Sequence, residues 1–312
     1  RMNKFCNPLF MALAAGMMLF ASCDKQPDTG NTNSTVKTGQ SAEGSQGSTT
    51  NDSQGNSDDD SQTTLIKKIV RANPSHMDFA RIIQQTGIEF STDFMLPTEN
   101  ASKAVTQEQQ ATLLGVYMGD LYYTTVFEEL SESLPYLEVT KRLATDLGIE
   151  NVLDEALYNR ARANQTNRDS LMVISIDTYD GLTSELAQNE GSDYLGGMLA
   201  TAMWIEGLYL ATRQTAFVND AYKKRLAEQK MVLDDLTSIL DDYQDDNLND
   251  LRQTIQPIRE AFDQVDQQNG ATTSKSSGGK ITLSGGTQYV MTNDNLKEIA
   301  DAVASVRNQL VK

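Results

Sequence analysis

Histidine, cysteine and tryptophan are nearly missing from this chain of 312 residues: one histidine (His76), two cysteines (Cys6 and Cys23) and one tryptophan (Trp204). Each shortage removes a class of chemistry. With no cysteine after residue 23, the rest of the chain has neither a disulfide brace nor a thiolate. A His/Cys zinc site is excluded. So is a di-iron carboxylate bundle, which needs a Glu-x-x-His pair on each of two helices. A Ser-His-Asp triad would have to draw on His76, and no serine sits in a nucleophile-elbow motif. Trp204 lies inside an apolar run, whereas a carbohydrate cleft wants its aromatics exposed. Positive charge is scarce too: 26 Lys and Arg against 43 Asp and Glu give a net charge of −17. Nucleic acid is thereby excluded as a partner, because its phosphates need cations to neutralise them. The excess of acid keeps the surface hydrated.

The N-terminus carries a more specific pattern. From Met2, a short segment with Lys4 leads into an apolar run, Leu9–Ala21, that ends in small residues. This is the order of a secretory signal. The ending Leu19-Phe20-Ala21-Ser22-Cys23 resembles the bacterial lipobox, although Phe20 departs from its usual third-from-last residue. The resemblance implies a signal over residues 1–22, cleavage after Ser22, and diacylglycerol on the thiol of Cys23. Several acyl chains on one residue anchor stably, where one would not. The expected location is the cell envelope, at the outer membrane, with the membrane held through the lipid on Cys23 and other envelope proteins as partners. After the lipidated Cys23, residues 24–63 hold no aromatic and almost no aliphatic side chain. Such a segment cannot bury enough apolar surface to offset its ordering entropy. It is expected to be a disordered tether, with a root-mean-square reach of about 35 Å.

Residues 64–312 read as one helical-bundle domain. A short helix or extended piece is expected at 65–72 and, after Pro74 and Ser75, a short helix at 77–85. Residues 88–106 read as loop. Longer helices are expected at 107–131, at 135–147 with Pro135 in the first turn and Gly148 as the C-terminal stop, and at 151–163. Asn167, Asn219 and Asn247 are expected to cap helices at 167–188, 219–243 and 248–267, the last interrupted by Pro257. Between the first two of these, Gly191-Ser192-Asp193 reads as a stop and a start. It opens a helix that carries Tyr194–Thr212, an apolar run with the single charge Glu206, and continues to residue 216. Length alone would let that run span a bilayer. Glu206 at its middle and the amphipathic helices on both sides make it a core helix instead. Short loops between these last helices call for antiparallel neighbours. Near the C-terminus, a hairpin is expected over 280–291, turning at Ser284-Gly285-Gly286-Thr287, and then a terminal helix over 294–310 capped by Asn293. The fold class is all-α: an antiparallel bundle of about seven to eight helices with one short β-hairpin.

Several sites fail on inspection. The acidic run Asp241–Asn247 lacks the sixth-position glycine and twelfth-position acid of an EF-hand loop. Gly278-Gly279-Lys280 is followed by Ile281 and has no matching upstream glycine, so it is not a phosphate loop. No metal or cofactor is expected. Two carboxylates remain, Asp120 and Glu206, each set within an apolar helix. On a wheel of 100° per residue, Glu206 falls beside Leu199, Ala202, Tyr209 and Arg213, and Asp120 beside Leu113, Val116 and Phe127. A buried carboxylate must be paired, hydrogen-bonded or protonated. One reading makes the two an acid–base pair. The other is structural, with Glu206 satisfied by Arg213 or a tyrosine hydroxyl and Asp120 by a tyrosine or lysine. A third possibility is a ligand cavity lined by Tyr117, Met118, Tyr122, Tyr123, Met198, Met203 and Tyr209, the same residues that plain core packing would use.

The segments Leu113–Phe127 (LLGVYMGDLYYTTVF), Leu134–Ile149 (LPYLEVTKRLATDLGI) and Trp204–Thr212 (WIEGLYLAT) resemble a group of helical lipoproteins of Bacteroidetes. The resemblance spans roughly residues 75–270, rests on apolar helix patterns, and implies an envelope lipoprotein of a Gram-negative anaerobe. It carries over no catalytic residue. The function expected is therefore a non-enzymatic binding or assembly module. A carrier of a small apolar ligand and an enzyme using Asp120 and Glu206 are the alternatives.

Overall fold

In a computed structural model, the residues described are Ile83 and 88–188, 191–214, 218–242, 246–277 and 280–312. The signal, Cys23, the tether, His76 and the short segments read at 65–72 and 77–85 lie outside them, Ile83 excepted.

The fold is all-α with one antiparallel hairpin near the C-terminus. Eight α-helices are described: α1 Gln107–Val126, α2 Leu130–Asp146, α3 Glu155–Ala163, α4 Arg168–Gln188, α5 Asp193–Ala211, α6 Asp220–Asp242, α7 Asn249–Asp263 and α8 Asn293–Leu310. The anticipated stops and caps hold at four places. Gly148 and Gly191 take φ of 73° and 78° at helix ends. The side chains of Asn167 and Asn219 accept from the backbone N–H groups of Ser170 (3.0 Å) and Tyr222 (2.9 Å).

Other boundaries move, for local reasons. Instead of running to residue 131, α1 stops at Val126. Glu128 adopts φ 61°, the Glu129 N–H reaches the Thr124 carbonyl (2.9 Å), and the Glu128 N–H reaches that of Thr125 (3.1 Å). This is the paired-bond stop usually built on glycine. Helix α2 then begins five residues before Pro135, so the proline lies within the helix. Asp154, not Asn151, opens α3, accepting from Leu157 N–H at 2.8 Å. The apolar helix α5 ends at Ala211, short of 216. Asn247 falls in a 3-10 turn before α7, which runs unbroken through Pro257. Thr292, not Asn293, caps α8, in a reciprocal pair with Asn295.

The hairpin differs most. Strand β1 is Asp266–Ser277 and β2 is Lys280–Val290, paired from Asp266↔Val290 to Ser277↔Lys280. The polar stretch read as a loop is therefore a strand. Ser284–Thr287 lies inside β2, and Gly278-Gly279 joins the two strands at residues outside those described. Gly-Gly marks a turn in either place, and the pattern of these polar residues did not decide between them.

The core forms around α5, which packs on α1, α4 and α8. All of its described side chains are buried except Tyr209, which is half-buried. An apolar helix without a polar face needs neighbours on every side, and among the described residues no helix is long and apolar enough to cross a membrane. Trp204, 1% exposed, donates its indole N–H to Gln229 Oε1 on α6 at 3.2 Å. The Tyr222 hydroxyl donates to the Ala211 carbonyl.

Helices α1 and α5 are not neighbours in sequence, and they run parallel: Tyr194 meets Glu108 (2.7 Å), Gly115 faces Leu199–Met203, and Gly119 faces Glu206. A Cβ on Gly115 would collide with the Leu199 carbonyl oxygen and lie 3.0 Å from Ala202 Cβ. The close approach therefore depends on glycines of α1.

Candidate functional site

The parallel contact brings the two isolated carboxylates together. Gly119 lies against the Glu206 side chain, where an added Cβ would sit 3.0 Å from both Cβ and Cγ. Asp120 follows it, close enough to the Glu206 carboxyl for each to act on the other's protonation. Both residues are 0% exposed.

Their remaining partners were not the ones anticipated. Asp120 Oδ2 accepts from the Leu96 N–H at 3.0 Å, so a backbone amide takes the place of a tyrosine or lysine. Glu206 is held by Arg307 of α8, Nε to Oε2 at 2.9 Å and Nη2 to Oε1 at 3.1 Å. Arg213 instead donates to the carbonyls of Ala300 (2.9 Å) and Tyr209 (3.3 Å). The guanidinium groups of Arg213 and Arg307 both lie over the Tyr209 ring, at 4.3 and 4.7 Å from its centroid, a favourable placement of cations on a π face. Arg307 was missed by sequence reasoning. Its signal was the one that singled out Asp120 and Glu206: a charge within an apolar helical stripe, here Leu296, Ile299, Val303 and Val306.

The electrostatics follow from burial and count. Burial, then the charge of Glu206, pushes Asp120 well above the ordinary carboxylate value, against the Leu96 hydrogen bond and Arg307. Burial pushes Glu206 up as well, opposed by Arg307. Burial works against the charge on Arg307, but Glu206 outweighs it and the guanidinium stays ionised. Glycoside hydrolysis requires two carboxylates held apart with a sugar between them. Here the two lie together in the core, both 0% exposed.

A separate groove of about 850 Å³ opens to solvent between α2, α3 and α4, with Met118 and Leu121 of α1 at its floor. Leu134, Leu137, Leu157 and Leu171 line it. The Lys141 ammonium sits over the Tyr158 ring at its edge, 4.9 Å from the centroid. Of the residues expected to line a cavity, only Met118 borders this groove. Tyr117, Tyr122, Tyr123, Met198 and Met203 are buried in the core, and Tyr209 lies under the two arginines. Among the described residues, no cluster of three or more His, Cys, Asp or Glu is placed to hold a metal ion.

Comparison with protein-family models, with curated proteins and with solved structures finds no match to this chain.

Proposed function

We propose that this chain is an envelope lipoprotein, held to the outer membrane by lipid on Cys23, that acts by binding or assembly and not by catalysis. The lipobox-like ending and the polar stretch after it support the anchoring. The observation that carries the non-enzymatic reading is the sealing of Asp120 and Glu206, both 0% exposed and committed to Leu96 and Arg307. A catalytic carboxylate must reach its substrate, and these serve the core. Cys23→Ala tests the anchoring: it should shift the protein from the membrane to the soluble fraction, and unchanged fractionation would overturn that part. Asp120→Asn with Glu206→Gln tests the rest: a folded double variant that loses the protein's phenotype would favour an enzyme.

The groove favours a second, compatible reading, a carrier of a small apolar ligand. Its volume falls in the range of small-molecule sites, roughly 300–1,000 Å³, and Leu121, Leu134, Leu137, Leu157 and Leu171 line it among polar and charged side chains. Native mass spectrometry of protein isolated from its own host should then show bound mass. That mass should disappear when Ala161→Trp fills the groove; a chain without added mass would count against this reading.

A further inference from the structure

Asp120, Glu206 and the Arg307 guanidinium are buried in the core while Arg213 beside them is only half-buried, so full ionisation would leave the sealed groups with one negative charge in excess. A buried unpaired charge is costly enough that the group gives it up by changing protonation. The hydrogen bonds identify the carboxylate concerned. Both oxygens of Glu206 accept from Arg307. One oxygen of Asp120 accepts from Leu96 N–H, while Oδ1 is sealed from solvent and meets no N–H or O–H donor among the described residues. A carboxylate oxygen without a donor is unsatisfied; a protonated one becomes a donor itself. The adjacent acceptor is the Glu206 carboxylate.

We propose that Asp120 carries a proton on Oδ1 at neutral pH and donates it to Glu206, so that folding of this chain takes up one proton. The cluster is then neutral overall: an ion pair between Glu206 and Arg307, plus a carboxylic acid. The neighbouring groups agree with this. Burial holds the phenols of Tyr117 and Tyr123 on α1 and Tyr136 on α2, all within electrostatic reach of Asp120, above their ordinary value, so they stay neutral and add no charge. Arg307 comes from α8, and Arg213, at the end of α5, adds positive charge on the Glu206 side.

The sign of the pH dependence is fixed. A group raised in the folded state contributes stability that is complete below its unfolded value, about 3.9 for Asp. That contribution is lost as pH rises toward the folded value, because the unfolded chain binds fewer protons. Between those limits one proton changes the folding constant about tenfold per pH unit. This fold should tighten as the medium acidifies toward the ordinary carboxylate range, the reverse of common acid denaturation.

Asp120→Asn is the decisive variant, since its carboxamide can accept from Leu96 and donate to Glu206 without titrating. Urea unfolding of wild type and D120N across pH 5–7 should give a ratio of folding constants, wild type to variant, that falls about tenfold per unit of rising pH. A ratio that is flat or rises with pH overturns the proposal. Infrared spectroscopy of the wild type alone gives a second measurement. A protonated-carboxyl C=O band should be present at pH 7, and its absence overturns the proposal even if D120N fails to fold.

Discussion

Arg307 places two guanidinium nitrogens on the two oxygens of Glu206, a residue 101 positions earlier, and so ties the last helix to the central one. The geometry is bidentate, the strong form of such a pair, and the side chains are 8% and 0% exposed. Removing only the cation strands Glu206 beside Asp120. Arg307→Met should therefore cost about 3–5 kcal/mol, whereas adding Glu206→Leu to it should restore much of the loss, because the desolvated pair is itself expensive. Urea unfolding of both variants checks this. A cost below about 1 kcal/mol for Arg307→Met would place the pair in a far wetter setting than its burial implies.

Gly115 reverses the usual rule for helical glycine. In an open helix, Gly→Ala stabilises by about 1 kcal/mol. Here the new methyl meets the Leu199 backbone oxygen, which cannot swing away as a side chain would. Gly115→Ala should destabilise by about 1–3 kcal/mol, the range for overpacking. It should also loosen the α1–α5 contact, visible as faster amide exchange in both helices. An unchanged or higher denaturation midpoint would mean that the two backbones separate at little cost.

Caps with a side-chain or glycine signature were legible in the sequence, as at Asn167, Asn219, Gly148 and Gly191. So was the status of α5, whose lack of a polar face left no other place for it. The stop at Glu128 was not legible, because nothing about a glutamate announces positive φ. The hairpin turn was misplaced because two Gly-Gly pairs competed among residues with no hydrophobic alternation to fix the register. Asp120 and Glu206 stood out as charges in apolar runs. Their contact did not, since it depends on a parallel pairing of helices more than 80 residues apart. Arg307 was hidden in a helix whose stripe looked complete without it.

The stop at Glu128 carries its own prediction. A non-glycine residue in the left-handed region bears a steric cost of about 1–2 kcal/mol. The residue is exposed, and its approach to Arg168 is 4.0 Å, the weak limit of an ion pair. Glu128→Gly should therefore raise stability by up to about 1 kcal/mol, less the extra entropy of a glycine in the unfolded chain. The urea midpoint should rise with an unchanged slope; a fall would mean that Arg168 holds this turn more firmly than the distance suggests.

Helix α3 is the least secured wall of the groove, and its loss should be local. It has nine residues and buries none of them, and a helix this short is marginal without tertiary support. It is held by the Asp154 cap, the exposed Arg160–Asp177 pair at 2.7 Å, the Lys141–Tyr158 contact and the partly buried Leu157. Asp154→Ala removes the cap, worth about 0.5–2 kcal/mol. Because α3 opens without the core, that cost should appear as faster amide exchange across Glu155–Ala163, with protection in α1 and α5 unchanged and the global urea midpoint nearly so. The opening would uncover Leu157 and Leu171 and raise the fluorescence of an apolar dye such as anilinonaphthalene sulfonate. An equal loss of protection in α5 would show instead that the groove wall and the core unfold as one unit.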